Sequence, residues 1–410
     1  MAETSRPARF ARDVVVIGGC GHVGLPLAIA FASRGLRVGI YDISEPAVAC
    51  VNSGTMPFAE PGARPALEQA IGAGTLVAAT DPAIVGTGEH VIVVIGTPVG
   101  ENLEPDQAAI PNALRACTTH LAAGQILILR STVYPGVTAR VEKMVAGLGL
   151  DIDVAFCPER IAEGQAMTEL FELPQIVSSR SARGMERASR LFRRLTPTLV
   201  AMTPEEAELA KLFTNVWRYI KFATANQLYM MANDRGLDFE RIRQGLALDY
   251  PRAADMPGAG FAAGPCLFKD TMQLAAFNVN GFSLGHAAMA INEALPSFLV
   301  ANLKQRYKLD ETRVGILGMA FKADIDDIRD SLSYKLGKVL RFDGAEVFYS
   351  DEFARDPTFI TKEELVERCD VVIVGVPHSA YRTLVIPERV EVVDLWGVIR
   401  TNRPVPVGQV

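Results

Sequence analysis

The stretch Val14-Val15-Val16-Ile17-Gly18-Gly19-Cys20-Gly21-His22-Val23-Gly24-Leu25-Pro26-Leu27-Ala28-Ile29-Ala30-Phe31-Ala32 changes character twice. Val14 to Ile17 is a β-branched run of strand length, Gly19 to Gly24 is a glycine-rich turn, and Leu25 to Ala32 reads as a helix. Glycine at positions 19, 21 and 24 permits a tight turn, close approach of the backbone to a pyrophosphate, and tight packing of helix on strand. A second strand, Arg37-Val38-Gly39-Ile40-Tyr41, ends at Asp42, near the spacing expected of an acid that binds the adenosine ribose hydroxyls. An aspartate there repels a ribose phosphate, which favours NAD over NADP. The alternative is a glycine-rich turn in an α/β fold that binds nothing.

The alternation continues through His90-Val91-Ile92-Val93-Val94-Ile95, Gln125-Ile126-Leu127-Ile128-Leu129 and Asp153-Val154-Ala155-Phe156. Apolar runs of this length between polar segments read as strands of a parallel sheet buried on both faces. Ligands of such sheets bind at the carboxyl ends of the strands. Those ends deliver Thr97-Pro98, Ser131-Thr132-Val133 and Pro158-Glu159-Arg160. Taken singly, each also reads as a turn residue or a helix cap.

A chain of 410 residues exceeds what one hydrophobic core supports and implies two or three domains. With 49% hydrophobic and 21% charged residues it has the composition of an ordinary globular enzyme, and a formal charge of −6 gives no reason to expect nucleic acid or an anionic membrane as a partner. No apolar run approaches the roughly 18 residues of a spanning helix, and the Val14 to Ile17 run ends in glycines rather than in a signal-peptide core. A cytoplasmic protein is expected. Cys20, Cys50, Cys117, Cys157, Cys266 and Cys369 show no paired spacing and the five histidines form no ligand cluster, so neither disulfides nor a metal are expected.

After Thr203-Pro204 the sequence turns helical. Thr203 suits a cap, Glu205 and Glu206 fall in the first turn, and no glycine or proline interrupts Ala207 to Asn233. A helix of about 30 residues is roughly 45 Å long. That is more than a small domain needs, so it is expected to link domains and to offer a surface to a second subunit. Lys211 and Asn215 lie four apart on one of its faces. A lysine beside an amide suits the stabilisation of an alkoxide; the alternative is a solvated lysine and an exposed asparagine. Further on stands Gly264-Pro265-Cys266-Leu267-Phe268-Lys269-Asp270. Proline suits the first turn of a helix and disfavours a helical residue before it, which places Cys266 in an opening turn, where free amides and the helix dipole favour thiolate. Asp270 follows one turn on, on the same face. These residues read either as a nucleophile beside a base or as a buried cysteine with two solvated charges.

Around Asp310 a new alternation begins: Arg313 to Gly318, Ala345 to Asp351, Asp370 to Pro377 and Val390 to Asp394. Four strand-like runs separated by helical segments imply a second parallel sheet, without a glycine fingerprint and so without a second NAD. Between its first two runs lies Phe321-Lys322-Ala323-Asp324-Ile325-Asp326-Asp327-Ile328-Arg329-Asp330-Ser331. Lys322 and Arg329 are candidates for contacts with ligand phosphates; the alternative is a charged loop with internal ion pairs. The fold class expected is therefore α/β: two Rossmann-like parallel-sheet domains, 1–200 and 301–410, joined by a central helical domain, 201–300, with a long connecting helix.

In this order the pieces resemble the UDP-glucose/GDP-mannose dehydrogenase family, the nucleotide-sugar 6-dehydrogenases. The likeness is carried by Gly19 to Pro26, Glu60-Pro61-Gly62, Thr97-Pro98, Ser131 to Gly136, Cys157-Pro158-Glu159-Arg160, Ala207 to Asn215, the cysteine motif and Gly318 to Ser331. The resemblance implies a four-electron oxidation of a sugar's 6-hydroxymethyl group to a carboxylate, with two NAD and one water. It implies that Cys266 attacks the intermediate aldehyde and that the thiohemiacetal becomes a thioester, which is hydrolysed. Lys211 and Asn215 would stabilise oxyanions, Asp270 would handle protons, and Thr132 with Glu159 would hold the water. Cofactor contacts would come from Gly19, Gly21, His22, Val23, Gly24, Asp42, Thr97, Thr132 and Arg329. Substrate contacts would come from Glu159, Arg160, Lys211, Asn215, Phe261, Gly264, Phe321 and Lys322, with the C-terminal domain holding the nucleotide diphosphate. Cys-Pro-Glu-Arg resembles the branch acting on UDP-N-acetylmannosamine or UDP-N-acetylglucosamine, with UDP-glucose as the alternative. The approach Gly260-Phe261-Ala262-Ala263-Gly264-Pro265 departs from the family's usual glycine pair by an apparent one-residue insertion. Two other readings remain. A two-electron β-hydroxyacid dehydrogenase needs neither Cys266 nor a second sheet. A non-catalytic nucleotide-sugar sensor is marked by loss of catalytic positions, and none is missing here. At least a homodimer is expected.

Overall fold

The computed structural model describes residues 10–97, 100, 105–279 and 281–399. The chain forms two compact units, one of Met1–Thr214 with Met272–Asn280 and one of Asn215–Thr271 with Gly281–Val410. In the first, the strands β1 (Arg12–Ile17), β2 (Val38–Tyr41), β3 (Leu76–Ala79), β4 (Gly88–Val93), β5 (Ile126–Leu129), β6 (Asp153–Phe156), β7 (Gln175–Ser178) and β8 (Leu199–Met202) lie in the order β3-β2-β1-β4-β5-β6-β7-β8. Neighbours run parallel except β6 and β7, which meet antiparallel at Phe156 and Ser178.

Strand alternation feeds two cores. Val14 and Val16 of β1 share one with Leu27 and Phe31 of the helix Gly24–Ser33, while Val15 and Ile17 share the other with Val137 and Val141 of the helix Val137–Ala146. Both faces are covered, which is why these strands read as continuous apolar runs. Three strands escaped the sequence reading. β3 is a four-residue Leu-Val-Ala-Ala, β7 carries polar residues at both ends, and β8 is a partly exposed edge.

The long helix runs Pro204–Asn233, as its sequence predicts, and the division between the units falls inside it. Its start is a capping box: Thr203 Oγ1 accepts from the Glu206 amide at 3.4 Å, and Glu206 Oε2 accepts from the Thr203 amide at 2.8 Å.

In the second unit β9 (Arg313–Leu317), β10 (Glu346–Ser350), β11 (Val371–Val374) and β12 (Glu391–Asp394) form an all-parallel sheet ordered β10-β9-β11-β12. Val314 and Ile316 pack with Leu299, Leu336 and Leu340 on one side; Leu317, Val372 and Val374 pack with Leu365 and Tyr381 on the other. In each sheet the strand order reverses at the first strand of the fold, β1 or β9, whose neighbours follow in opposite directions. The loops leaving these strands stand at the switch points where parallel sheets bind ligands. Among the described residues no helix is long and apolar enough to cross a membrane.

Candidate active site

In the first unit the turn after β1 is shaped by contacts only glycine permits. Gly18 has φ 73°, and a Cβ there would overlap the Val94 carbonyl; a Cβ on Gly24 would lie 2.7 Å from the Gly18 oxygen and the Gly19 Cα. Gly21 differs, because a Cβ there would meet nothing within 4 Å. Its surface is open, and the following helix begins at once, the Leu25 amide bonding the Gly21 carbonyl at 3.0 Å. Such a helix start presents amide donors suited to a pyrophosphate. Asp42 is tied to the turn, its carboxylate accepting from the Cys20 amide and from the Ser44 amide, each at 3.0 Å. His22 stacks on Phe58 with ring centroids 4.0 Å apart, and Val23 is the helix N-cap. These residues suit NAD, which would be held by the turn amides at its pyrophosphate and by Asp42 at its ribose.

The strand ends of this unit are joined to each other. Thr97 is buried and its hydroxyl donates to the Thr132 carbonyl at 2.6 Å, while Ser131 Oγ accepts from the Ile95 amide at 2.8 Å. Pro98 lies outside the described residues. Glu159 is buried against Arg130, an ion pair in which Arg130 is 1% exposed, and its other oxygen accepts from the amides of Arg160 and Ile161 at 2.7 and 2.9 Å. The Arg160 guanidinium donates to the Pro174 carbonyl. On the long helix, Glu208 accepts from the Gly136 and Thr138 amides at 2.7 and 2.8 Å and so caps the helix Val137–Ala146; one turn on, Lys211 is buried. Arg130 and Glu208 were not found from sequence. Their partners lie 29 and about 70 residues away, so spacing carries no signal.

The second unit contains the cysteine motif. Its helix is Leu267–Phe277, and Cys266 stands one residue earlier than the opening turn the sequence predicts, at the N-cap, its carbonyl accepting from the Asp270 amide at 2.9 Å. Cys266 is exposed, whereas Cys20, Cys157 and Cys369 are buried, and burial pushes each of their thiols up to about 12. Asp270 is completely buried. Its Oδ2 accepts from Asn215 Nδ2 at 2.5 Å and its Oδ1 lies 3.3 Å from Lys269 Nζ. The structure thus joins the cysteine motif to the asparagine of the long helix, which is also buried.

The approach to Cys266 is anchored by amides. Asn226, fully buried, donates to the Gly260 carbonyl at 3.0 Å and accepts from the Gly260 amide at 2.9 Å, and Asn292 locks Asn226 in place. Phe261 is 5% exposed and packs in the core beside Leu299 and Ile316. Gly264 has φ 96°, donates to the Asp330 carbonyl at 3.3 Å, and has the Phe321 ring where a Cβ would stand, 2.5 Å away. The cysteine loop and the loop after β9 therefore meet at Gly264, Phe321 and Asp330. In the latter loop the Arg329 side chain pairs with buried Asp327, so the internal ion pair anticipated as the alternative is present. Lys322 is partly exposed.

In the second sheet the acid that follows the second strand is taken up by the fold. Asp351 follows β10 as Asp42 follows β2, but its carboxylate is buried and receives five donors: the amides of Met319, Ala320, Phe353 and Ala354, and His378 Nε2. Oδ1 takes two of these donors and Oδ2 three, and the side chain is fully buried, so no lone pair is left for a ribose, whereas each Asp42 oxygen takes a single amide.

Residues 12–196, 205–294 and 315–401 match, in that order, the NAD binding, central and UDP binding domains of the UDP-glucose/GDP-mannose dehydrogenase family. A curated relative from Pyrococcus horikoshii, UDP-N-acetyl-D-mannosamine dehydrogenase, is 30% identical over 90% of both chains. The chain belongs to the UDP-glucose/GDP-mannose dehydrogenase family. As a member of it the protein is an NAD-dependent oxidoreductase. A relative of the same name from Yersinia pestis is 27% identical over 95% of this chain and 99% of its own. Among solved structures, the UDP-D-ManNAc dehydrogenase of P. horikoshii superposes with a TM-score of 0.88 at 28% identity, covering 96% of this chain and 97% of that one. A UDP-glucose dehydrogenase from Pyrobaculum islandicum gives the same TM-score at 27% identity, covering 96% of each chain.

Proposed function

We propose that this dehydrogenase oxidises the 6-hydroxymethyl group of UDP-N-acetylmannosamine to a carboxylate in two successive oxidations through Cys266. The observation that carries the reading is the constellation of an exposed thiol at a helix N-terminus, a buried carboxylate one turn behind it, and Asn215 bonded to that carboxylate. NAD, when bound, accepts the two electrons of each oxidation as hydride. The chain's residues do the rest. Lys211 and Asn215 stabilise the oxygen anion left when the C6 hydroxyl loses its proton. The Cys266 thiolate adds to the aldehyde carbon, and the resulting thiohemiacetal keeps the reactive intermediate on the enzyme. Its oxidation gives a thioester; water adds to the carbonyl carbon, the carbon–sulfur bond breaks, and the thiolate is regenerated. Asp270 handles the protons. Glu159, fixed by Arg130 and two amides, is an oriented anion that with Thr132 holds the attacking water. The UDP moiety falls to residues 301–410 through Lys322, with Arg329 toward the cofactor, while 1–200 holds NAD and 201–300 supplies the helices between.

The choice of sugar rests on Cys157-Pro158-Glu159-Arg160 and on the relatives' substrate, because the fold superposes equally on enzymes named for two different sugars. Initial rates of NAD reduction with UDP-N-acetylmannosamine, UDP-N-acetylglucosamine and UDP-glucose test it. The expected kcat/KM for the N-acetylmannosamine compound exceeds that for UDP-glucose by about tenfold or more, the scale set by one lost polar contact; equal or inverted values reject the assignment.

The same reading makes the protein a homodimer in the cytoplasm. In the second unit the long helix exposes Trp217 and Met231, and the helix Phe239–Ala247 with its flanking residues exposes Leu237, Leu246 and Leu248, an apolar set suited to a second copy.

A further inference from the structure

We propose that His378 is a positioning residue, which holds the loop between β9 and the helix Leu332–Phe342 in its ligand-binding shape by accepting one hydrogen bond from the Asp324 amide. The proposal rests on the reading of Lys322 and Arg329, carried by that loop, as contacts for the phosphates.

The His378 ring is fully buried, its plane set by Phe353 and Tyr381 with ring centroids at 5.0 and 5.3 Å. Nε2 lies 3.0 Å from Asp351 Oδ2 and Nδ1 lies 2.9 Å from the Asp324 amide nitrogen. An amide can only donate, so Nδ1 must be the acceptor. Nε2 then carries the proton and donates a hydrogen bond to Asp351. The partner suits that role. Burial alone would raise the Asp351 carboxyl, but His378 and the Ala320 and Ala354 amides bring it down to about 2, so it stays an anionic acceptor at neutral pH. One buried carboxylate therefore selects the imidazole tautomer that the loop amide needs.

The loop requires such an anchor. From Gly318 to Ser331 it forms neither helix nor strand. Asp324 has φ 58° and Asp330 φ 51°, left-handed conformations that side-chain-bearing residues adopt at a cost. Asp324 is clasped twice: its amide bonds His378, and its Oδ1 accepts from the amide and hydroxyl of Ser379 at 2.8 and 3.0 Å. Lys322 lies two residues before this clasp and Arg329 five after it. The Phe321 amide closes on the Asp327 carbonyl at 2.9 Å, and Ser331 Oγ on the Ala320 carbonyl at 3.0 Å. Releasing the Asp324 amide would loosen the loop's hold on the segment that leaves β11.

Two substitutions separate the two ring nitrogens. In His378→Asn the amide oxygen takes the place of Nδ1 and keeps an acceptor for Asp324. In His378→Gln the amide nitrogen takes the place of Nε2, keeping the donor to Asp351 and losing the acceptor. Two readouts on the full chain decide: UDP affinity by calorimetry, and hydrogen exchange of peptides spanning 318–331. His378→Gln is expected to weaken UDP by about tenfold and to speed exchange in the loop, whereas His378→Asn stays within about twofold of wild type in both. Wild-type UDP affinity and exchange in His378→Gln overturn the proposal, as do equal losses in both variants. Should wild type itself not bind UDP, the substrate reading fails while the exchange contrast still decides the positioning role.

Discussion

Asp270 is the residue whose surroundings say most about the chemistry, because a completely buried carboxylate must be compensated, and here the compensation is a neighbouring lysine and the amide of Asn215. Replacing Asn215 with alanine removes a partner of that carboxylate and, in the proposed reaction, a donor to the substrate oxygen. The expected kcat falls by roughly 10²–10³, the usual cost of one oxyanion donor, with little change in NAD affinity. Cys266→Ser should bind NAD as wild type does and release no uronic acid; full oxidation at the wild-type rate would reject the covalent route. Arg130 allows a sharper comparison. Arg130→Met leaves the Glu159 carboxylate without its cation, at about 3–5 kcal/mol, and thermal unfolding should show a large loss that Arg130→Met combined with Glu159→Gln partly restores. Equal losses in the single and double variants would mean that the pair does not stabilise the fold. At this scale the sequence was legible in residue type and silent in partnership. Cys266, Lys211, Asn215 and Glu159 are recognisable by their local pattern. That Asn215 meets Asp270, or Arg130 meets Glu159, depends on contacts across 55 and 29 residues.

Elements were legible where burial is two-sided. β1, β4, β5 and β9 are continuous apolar runs because helices cover both faces, and the long helix announced itself with a capping box and a span free of glycine and proline. β8, an edge with residues partly exposed, left no such trace. The irregular segments were hardest to read, since their shape comes from side chains elsewhere: Asn226 and Asn292 for the cysteine approach, Asp351 and His378 for the loop after β9. Gly264 is where those two segments meet. Gly264→Ala places a methyl group against the Phe321 ring in a left-handed backbone costing about 1–2 kcal/mol. It is expected to reduce turnover by more than tenfold. A variant with wild-type kcat would show that this contact does not set the cysteine's position.

For the whole molecule, the paired sheets explain a division of labour. Each begins with a strand at a switch point and each places an aspartate after its second strand, but Asp42 keeps capacity for a ligand where Asp351 is consumed by the fold. The Asp351 carboxyl lies at about 2 in the folded chain against an ordinary 3.8. A depressed folded value means stability that is fully present above the ordinary value and is lost as pH falls through the folded one. The melting temperature difference between wild type and Asp351→Asn should therefore be constant above about pH 5 and shrink between about pH 4 and 2; a difference independent of pH would contradict an ionised Asp351. Sedimentation at micromolar concentration should give a dimer, and Trp217→Glu with Met231→Glu should weaken it.

Whether oxidation passes covalently through Cys266 is a matter of counting, since a simple alcohol dehydrogenase stops at the aldehyde. The decisive measurement is the NADH formed per UDP-N-acetylmannosamine consumed to completion. Two NADH and one carboxylate are expected for each sugar; one NADH with accumulation of aldehyde would contradict the covalent route.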